Sequence, residues 1–346
     1  MSSPAALNSS TLDELDAQIV RALQVSPRVS FRELGEVLGV AEQTVARRYR
    51  RMRREGYLRV TMAADPHRGG NSAWFVRVRC RPEGTDAIAR SVAADDHVSW
   101  VSIYGAGWEV AFNLRVPADA DAHELLVAAL PKAAPILDVS PAEILHTFVG
   151  GSNPHQEMWS DVLTAEQTAA LEATSCQPAP VGEPVKTDVV DQILLDALGK
   201  DGRLSYSTLA RATGGTPGKV TRRVEHLVAS GAAYFHVDLA TDAIGLRSAS
   251  LWLTVTPRHL RTVGEALGIH PRIPFAAAIT GRSNIFARIM NSDTDDMYSF
   301  VTQSLAELDG ITGYEIMPLR QQVKNAGTIV RGDRLAPPSA SGRVRR

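Results

Sequence analysis

The sequence predicts an α+β protein: two winged helix-turn-helix domains, each followed by a ferredoxin-like βαββαβ domain. Three observations lead there. First, Asp16–Gly56 superimposes without a gap on Asp191–Gly231, an offset of 175 residues. Ile19 falls on Leu194, Leu23 on Leu198, Leu34 on Leu209, Val45 on Val220 and Met52 on Leu227. Identical residues occur at Arg28/Arg203, Ser30/Ser205, Gly39/Gly214, Arg47/Arg222, Arg48/Arg223 and Gly56/Gly231. Second, after each helical segment the apolar period changes from helical to alternating. Third, the order of those later stretches is βαββαβ both times, an antiparallel sheet with both helices on one face. Two repeats are too few for a solenoid and fit a duplicated domain pair.

The elements follow in order. Residues 11–24 read as a helix with Leu12, Leu15, Ile19 and Leu23 on one side. Ser30 caps a second helix, with Glu33 completing a capping box and Leu34 and Leu38 facing inward. Gly39-Val40 makes the turn, and a third helix runs from about Ala41 to Glu55 and stops at Gly56. Tyr57–Ala64 reads as a wing strand. A first βαββαβ set spans about 73–150, with strands from Ala73, at Val98–Tyr104, Trp108–Val116 and Val139–Val149, and helices near Glu83–Ala93 and Asp119–Leu130. Residues 151–185 form a Gly/Pro/Ser/Ala-rich linker in which Thr164 to Gln167 starts one short helix by a capping box. The second helical unit occupies 186–240 and the second βαββαβ set 248–328, with strands near Ala249–Thr256, Phe275–Thr280, Ile285–Asn291 and Gly313–Val323, and helices near Arg258–Leu267 and Asp293–Asp309. The polar start, Met1–Ser10, and residues 331–346, which include Arg343-Val-Arg-Arg346, are expected to be disordered.

Composition narrows the class. The net charge of −1 conceals an asymmetry: residues 1–94 carry 15 Lys/Arg against 10 Asp/Glu, and residues 95–185 carry 2 against 13. One region suits a polyanion and the next is repelled by it, which orients the molecule on DNA. No apolar run approaches the roughly 18 residues of a membrane span, and the start lacks a signal-peptide pattern. Cys80 and Cys176 fit no metal or redox spacing and read as incidental thiols, as expected in a reducing cytoplasm. No metal and no cofactor is expected.

The third helix carries the chemistry. At about 100° per residue, Val45, Tyr49 and Met52 share the inward face. Gln43, Arg47, Arg50 and Arg54 then lie opposite, with Thr44, Arg48 and Arg51 on one flank; six arginines fall within Arg47–Arg54. A major groove admits a helix, and its early side chains (Gln43, Thr44, Arg47) reach base edges, Arg47 forking onto guanine. Later arginines suit phosphates. In the second copy Thr216 caps the helix with Pro217 at its first position. Lys219, Arg222 and Arg223 persist there, but Glu225 stands for Arg50 and Ala229 for Arg54. The first unit is therefore expected to supply most of the electrostatic affinity. Gly214 to Lys219 resembles a phosphate loop only superficially, because Thr213 and Val220 break the Walker spacing.

Gly39 to Arg48, followed by Met52 and Gly56-Tyr-Leu58, resembles the winged helix-turn-helix of the leucine-responsive/AsnC (Lrp/AsnC) family of transcriptional regulators. Asp65-Pro66 with Gly69-Gly70 is similar to that family's connector, and Ala278-Ile-Thr-Gly281 and Leu308-Asp-Gly-Ile311 to steps in its effector domain. The likeness covers about 11–149 and 187–324, as in a tandem, fused member. It implies pairing of effector domains through their sheets, a homo-oligomer (dimer or larger), and an amino-acid-like effector at the domain interface. Gly105, Trp108, Gly281 and Asn284 mark the corresponding turns. The family's Gly-x-x-Asp turn has lost its acid in both copies, since Trp108 and Asn284 stand in its place. Two readers on one chain imply a double-stranded operator with two unlike half-sites. The expectation is a regulator and not an enzyme; the alternatives are an architectural DNA protein without effector, or a tetrapyrrole (siroheme-type) decarboxylase, which His67-Arg68 superficially fits.

Overall fold

The computed structural model describes residues 12–65, 70–131, 135–151, 160–175, 185–240 and 245–337. The expectations for Met1–Ser10, His67-Arg68 and Cys176 lie outside these residues.

The first unit comprises α1 (Glu14–Val25), α2 (Phe31–Leu38), α3 (Glu42–Arg54) and wing strand β1 (Leu58–Ala64). Asp13 and Asp16 form a reciprocal capping box at α1, as Ser30 and Glu33 do at α2. Gly39 ends α2 with φ of 68°, where a side chain would strain the backbone. Leu23, Leu34, Val45, Tyr49, Met52 and Leu58 close the small core.

Next come β2 (Ser72–Cys80), α4 (Thr85–Ala93), β3 (Val98–Tyr104), β4 (Glu109–Val116), α5 (Ala122–Ala129) and β5 (Ile136–Val149). The linker helix α6 (Ala165–Glu172) is capped by Thr164 with Gln167, and it docks on the first unit, where Leu171 is buried and the Gln167 amide donates to the Val37 carbonyl at 3.0 Å. The second unit is α7 (Val189–Lys200), α8 (Tyr206–Thr213), α9 (Pro217–Ala229) and wing β6 (Ala233–Leu239). The last set is β7 (Arg247–Val255), α10 (Leu260–Gly268), β8 (Phe275–Ile279), β9 (Ile285–Asn291), α11 (Thr294–Ser299, continuing in wider π-type turns over Phe300–Leu305) and β10 (Ile311–Asn325). Beyond it, β11 (Thr328–Arg331) and β12 (Arg334–Leu335) pair as a hairpin. Residues 331–337 are thus not the disordered segment the composition suggested; Leu335 is buried and its strand is pinned to the first unit.

Two closures unite the halves. The wings pair with each other, β1 antiparallel to β6, with Thr61 opposite His236. These two positions are 175 apart, the repeat offset itself, so the strand pair turns about a local two-fold axis at that point. The two sheets join edge to edge in the order β3-β4-β2-β5-β8-β9-β7-β10, and β10 returns to β3, closing an eight-stranded antiparallel barrel. Helices α4 and α5 cover one half outside and α10 and α11 the other. Inside, Phe75, Trp252, Phe286 and Ile144 pack together, with the Phe75 and Phe286 rings 3.9 Å apart. A cross-half ion cluster flanks them: Arg77 bonds Glu109 on β4 and Glu315 on β10, and its guanidinium lies 4.4 Å over the Trp252 ring.

Candidate nucleic-acid interface

Helix α3 presents Gln43, Arg47, Arg50 and Arg54 as exposed residues, with Thr44 half-buried at its edge. The opposite face is fixed by Val45, Tyr49 and Met52, all buried, and the Phe31 ring packs 5.2 Å from Tyr49. The ridge of cations therefore points outward because the helix cannot rotate without exposing that face. Arg54 pairs with exposed Glu55 at 3.3 Å, a contact worth little in water.

The flank differs from expectation. Arg48 donates to both Asp13 oxygens, at 2.7 and 2.5 Å, and to Asp16 at 3.1 Å. Arg51 also bonds Asp16, whose carboxylate is fully buried. In the second copy Arg223 does the same with Asp188 and Asp191. Arg48, Arg51 and Arg223, placed on the DNA-reading list by helical periodicity, instead tie the third helix of each unit to the start of the first. The cause is the acid pair of the capping boxes, which stands within reach on the neighbouring helix. Burial would raise the Asp13 carboxyl, but the Arg48 guanidinium and the Asp16 amide hold it below its ordinary value. A hydrogen bond from Asp191's amide does likewise for Asp188. Arg53 is spent as well, on Asp201 of the other unit at 2.7 Å.

Helix α9 exposes Lys219 and Arg222 as expected, together with Glu225 and Ala229. Thr216 accepts from the Lys219 amide and Pro217 opens the helix. Its outward ridge thus reads Lys219, Arg222, Glu225, Ala229 where α3 has Thr44, Arg47, Arg50, Arg54.

The suggested effector turns lie where the two sheets meet. Gly105, with φ of 61°, donates its N–H to the Pro318 carbonyl of β10 at 2.9 Å. A Cβ there would stand 3.2 Å from the Trp108 indole, which covers the turn while half exposed. Gly281 (φ 106°) follows Thr280, which is bound to Glu143 of β5. Asn284 differs from expectation: its amide accepts from the Val255 N–H at 2.8 Å and donates to the Val255 carbonyl at 2.7 Å. Both polar atoms thus hold the turn onto β7. Among the described residues, no group of three or more His, Cys, Asp or Glu is arranged to hold a metal, and no helix is long and apolar enough to cross a membrane.

Comparison with known proteins agrees with this organisation. An AsnC-type helix-turn-helix domain matches residues 12–53 and again 188–228, and an Lrp/AsnC ligand binding domain matches 248–329. The chain is 27% identical over 138 residues to an uncharacterized HTH-type transcriptional regulator of Pyrococcus horikoshii, covering 39% of this chain and 87% of that one. A second such regulator, from Pyrococcus abyssi, is 29% identical over 136 residues, 38% of this chain and 84% of its own length. Among solved structures, the siroheme decarboxylase NirDL superimposes with a TM-score of 0.60 at 12% identity, over 91% of this chain and 93% of that one. At that identity the likeness is one of fold, and it extends through both halves. The chain thus carries two segments similar to the AsnC-type helix-turn-helix domain and one similar to the Lrp/AsnC ligand binding domain, in duplicated order on one polypeptide.

Proposed function

We propose that the protein is a sequence-specific, DNA-binding transcriptional regulator whose first unit supplies the principal reading helix. The observation that carries this is the outward ridge Gln43, Arg47, Arg50 and Arg54 on a helix locked from behind by Tyr49 and Met52. Gln43, Thr44 and Arg47 contact base edges, and Arg50 and Arg54 contact phosphates. Lys219 and Arg222 make the weaker contacts of the second unit. The two-fold pairing of the wings supports an operator of two unlike half-sites about one duplex turn apart, roughly 34 Å. An amino-acid-like effector binds near Gly105, Trp108 and Gly281, where the sheets join, and favours one arrangement of the barrel over another. The chain works as a homo-oligomer.

Footprinting upstream of its own gene, with and without candidate metabolites, tests the reading. R47A/R50A/R54A should abolish protection, and K219A/R222A should weaken it. Equal losses in the two variants would overturn the dominance of the first unit.

The fold shared with NirDL keeps a tetrapyrrole decarboxylase as the second reading. Phe75, Trp252 and Phe286 fill the barrel here, which supports the regulator instead. A porphyrin absorption band on the purified protein would reverse the preference.

A further inference from the structure

We propose that Trp100, Asn325, Asp238 and His236 form a latch through which the barrel sets the position of the reading helices, and that control passes through the β10–β3 seam and not through β5–β8. The inference rests on the DNA-reading role of the first unit. It starts from the paired wings, which have two faces. Leu58, Val60, Met62, Phe235 and Leu239 belong to one face and pack in the two helical cores. Arg59, Thr61, His236 and Asp238 share the other. On that face Asp238 is fully buried, and Arg59 and Thr61 are buried with it. Asp238 Oδ1 accepts from Asn325 Nδ2 at 3.0 Å and lies 2.9 Å from His236 Nε2. Trp100 Nε1 donates to Asn325 Oδ1 at 2.6 Å, and the Trp100 indole stands edge-on to the His236 ring at 5.8 Å. The four side chains thus make a closed circuit between wing and barrel. Trp100 lies on β3 and Asn325 ends β10, the two strands whose pairing closes the barrel.

A buried carboxylate stripped of its donors is costly, so β6 follows Asn325 rather than parting from it. The end of β10 holds the first unit as well. Past Asn325 the β11–β12 hairpin delivers Leu335, whose N–H donates to the Gly56 carbonyl at 2.9 Å. The Arg334 guanidinium lies 3.8 Å over the Tyr57 ring beside it. A shift of β10 therefore reaches both units. The far end of the same seam is the turn at Gly105, whose N–H is bound to the Pro318 carbonyl. Pro318 and Asn325 are seven residues apart, roughly 23 Å of strand. A ligand at that turn that alters the Gly105–Pro318 contact acts on both readers through β10. The other seam lacks the latch. Counterparts differ by 175 in the wings and 176 in the barrel, so Thr61, Ala63, Val149 and Ala276 stand where His236, Asp238, Asn325 and Trp100 do. Val149 and Ala276 are paired on β5 and β8. Thr61 brings the one polar side chain of that set, and its hydroxyl has no hydrogen-bond partner among the described residues. One seam is thus tied to the readers by buried polar contacts, and its repeat is apolar at the same place.

DNA binding of the full-length chain should be measured by fluorescence anisotropy on a labelled random-sequence duplex, with G105A straining the left-handed turn at the far end of the seam. G105A should raise the dissociation constant about fivefold in the parent. In an N325A background it should raise it by less than about twofold, because the path is already cut. W100F, which removes the indole N–H, should blunt the G105A effect in the same way. T280V takes away the hydroxyl bonded to the Glu143 N–H at the matching end of β5–β8, and should change the constant by less than about twofold. Thermal unfolding checks that each variant is folded; W108A, at a half-exposed position of the same turn, replaces G105A if that variant is not. The latch would be overturned by equal effects of the turn variant in parent and N325A, by no effect in the parent, or by a T280V effect as large. In each of those cases, loss of binding in R47A/R50A/R54A leaves the reading role of α3 standing. Absence of binding by the parent even in dilute buffer would remove both.

Discussion

Arg28 and Arg203, equivalent residues of the two units, exchange the same bonds across the local two-fold axis. Arg28 donates to the carbonyls of Gly202 and Leu204 at 2.5 and 2.8 Å; Arg203 donates to those of Pro27 and Val29 at 2.6 and 2.7 Å. Each guanidinium also faces the other unit's aromatic ring, Arg28 over Tyr206 at 4.3 Å and Arg203 over Phe31 at 4.8 Å. The reciprocity is that of a homodimer interface, here fixed within one chain. Each arginine binds a helix–helix turn of the opposite unit, so these four bonds, the Arg53–Asp201 pair and the paired wings together fix the spacing of the two third helices.

R203A should therefore destabilise the chain by about 2–3 kcal/mol in chemical denaturation, as expected for charged donors to backbone carbonyls at a half-buried site. R28A should cost a similar amount. Each single variant also relieves the repulsion between the two guanidiniums, so the double variant should lose somewhat more than the sum. R203K should recover little of the loss, since an ammonium cannot bridge two carbonyls set apart as a fork requires. A silent R203A would show that its bonds to Pro27 and Val29 add nothing to what Arg28, the Arg53–Asp201 pair and the paired wings already supply.

Arg47 and Arg48 should separate cleanly. Arg48 is bound to Asp13 and Asp16, with Asp16 fully buried. R48A or D16N should lower stability by about 3 kcal/mol, the lower end of the range for a broken buried pair, because the guanidinium keeps some solvent. The salt dependence of DNA binding should not change in folded R48A. R47A should do the reverse, leaving the unfolding midpoint in place and flattening the salt slope by about one. A change of slope in R48A equal to that in R47A would return Arg48 to the DNA surface.

The same acid cluster sets a pH limit. Asp13 and Asp188 both ionise below their ordinary value in the folded chain. A depressed carboxyl contributes stability that is fully present above the unfolded pKa, about 3.9, and is lost as pH falls through the folded value. Thermal unfolding should therefore stay level in this respect down to about pH 4 and weaken below it. D13N and D188N should flatten that acid limb, with lower stability at neutral pH. An acid limb unaffected by both substitutions would assign it to other carboxylates.

Much of this was legible in the sequence because local rules decide it. Ser30, Thr164 and Thr216 cap their helices as their spacing to the following acid, amide or proline indicates. The burial of Val45, Tyr49 and Met52 follows from helical period alone. What escaped depends on contacts between distant segments. Periodicity put Arg48 and Arg51 outward and could not reveal an acid pair 32 to 35 residues earlier. The barrel closure and the docking of Leu335 on Gly56 join residues at least 127 and 279 positions apart, respectively, and no local pattern encodes them. The repeat itself held the missing signal. Residues identical in both copies, such as Arg28/Arg203, Arg48/Arg223 and Gly39/Gly214, mostly serve architecture. The exposed ridge is where the copies diverge, as in Arg50 against Glu225 and Arg54 against Ala229. Arg47/Arg222 is the identical arginine pair that is exposed on the third helix of both copies.

Gly39 and Gly56 offer a last test, because they share a left-handed backbone and differ in surroundings. Gly39 has φ of 68° and nothing within 4 Å of the place a Cβ would occupy. G39A should therefore cost only the conformational strain, about 1 kcal/mol, and G39N less, since asparagine tolerates this region. Gly56 has φ of 74°, and its Cβ would meet the Leu335 oxygen at 2.7 Å and Arg334 at 3.1 Å. G56A adds a clash with backbone to the same strain, and the hairpin must move away. The cost should exceed that of G39A by about 1–2 kcal/mol, and the Leu335 amide should lose its protection from hydrogen exchange. In G39A that amide should stay protected. Equal costs for the two substitutions, with the Leu335 amide still protected in G56A, would mean that β12 is not held against the end of α3.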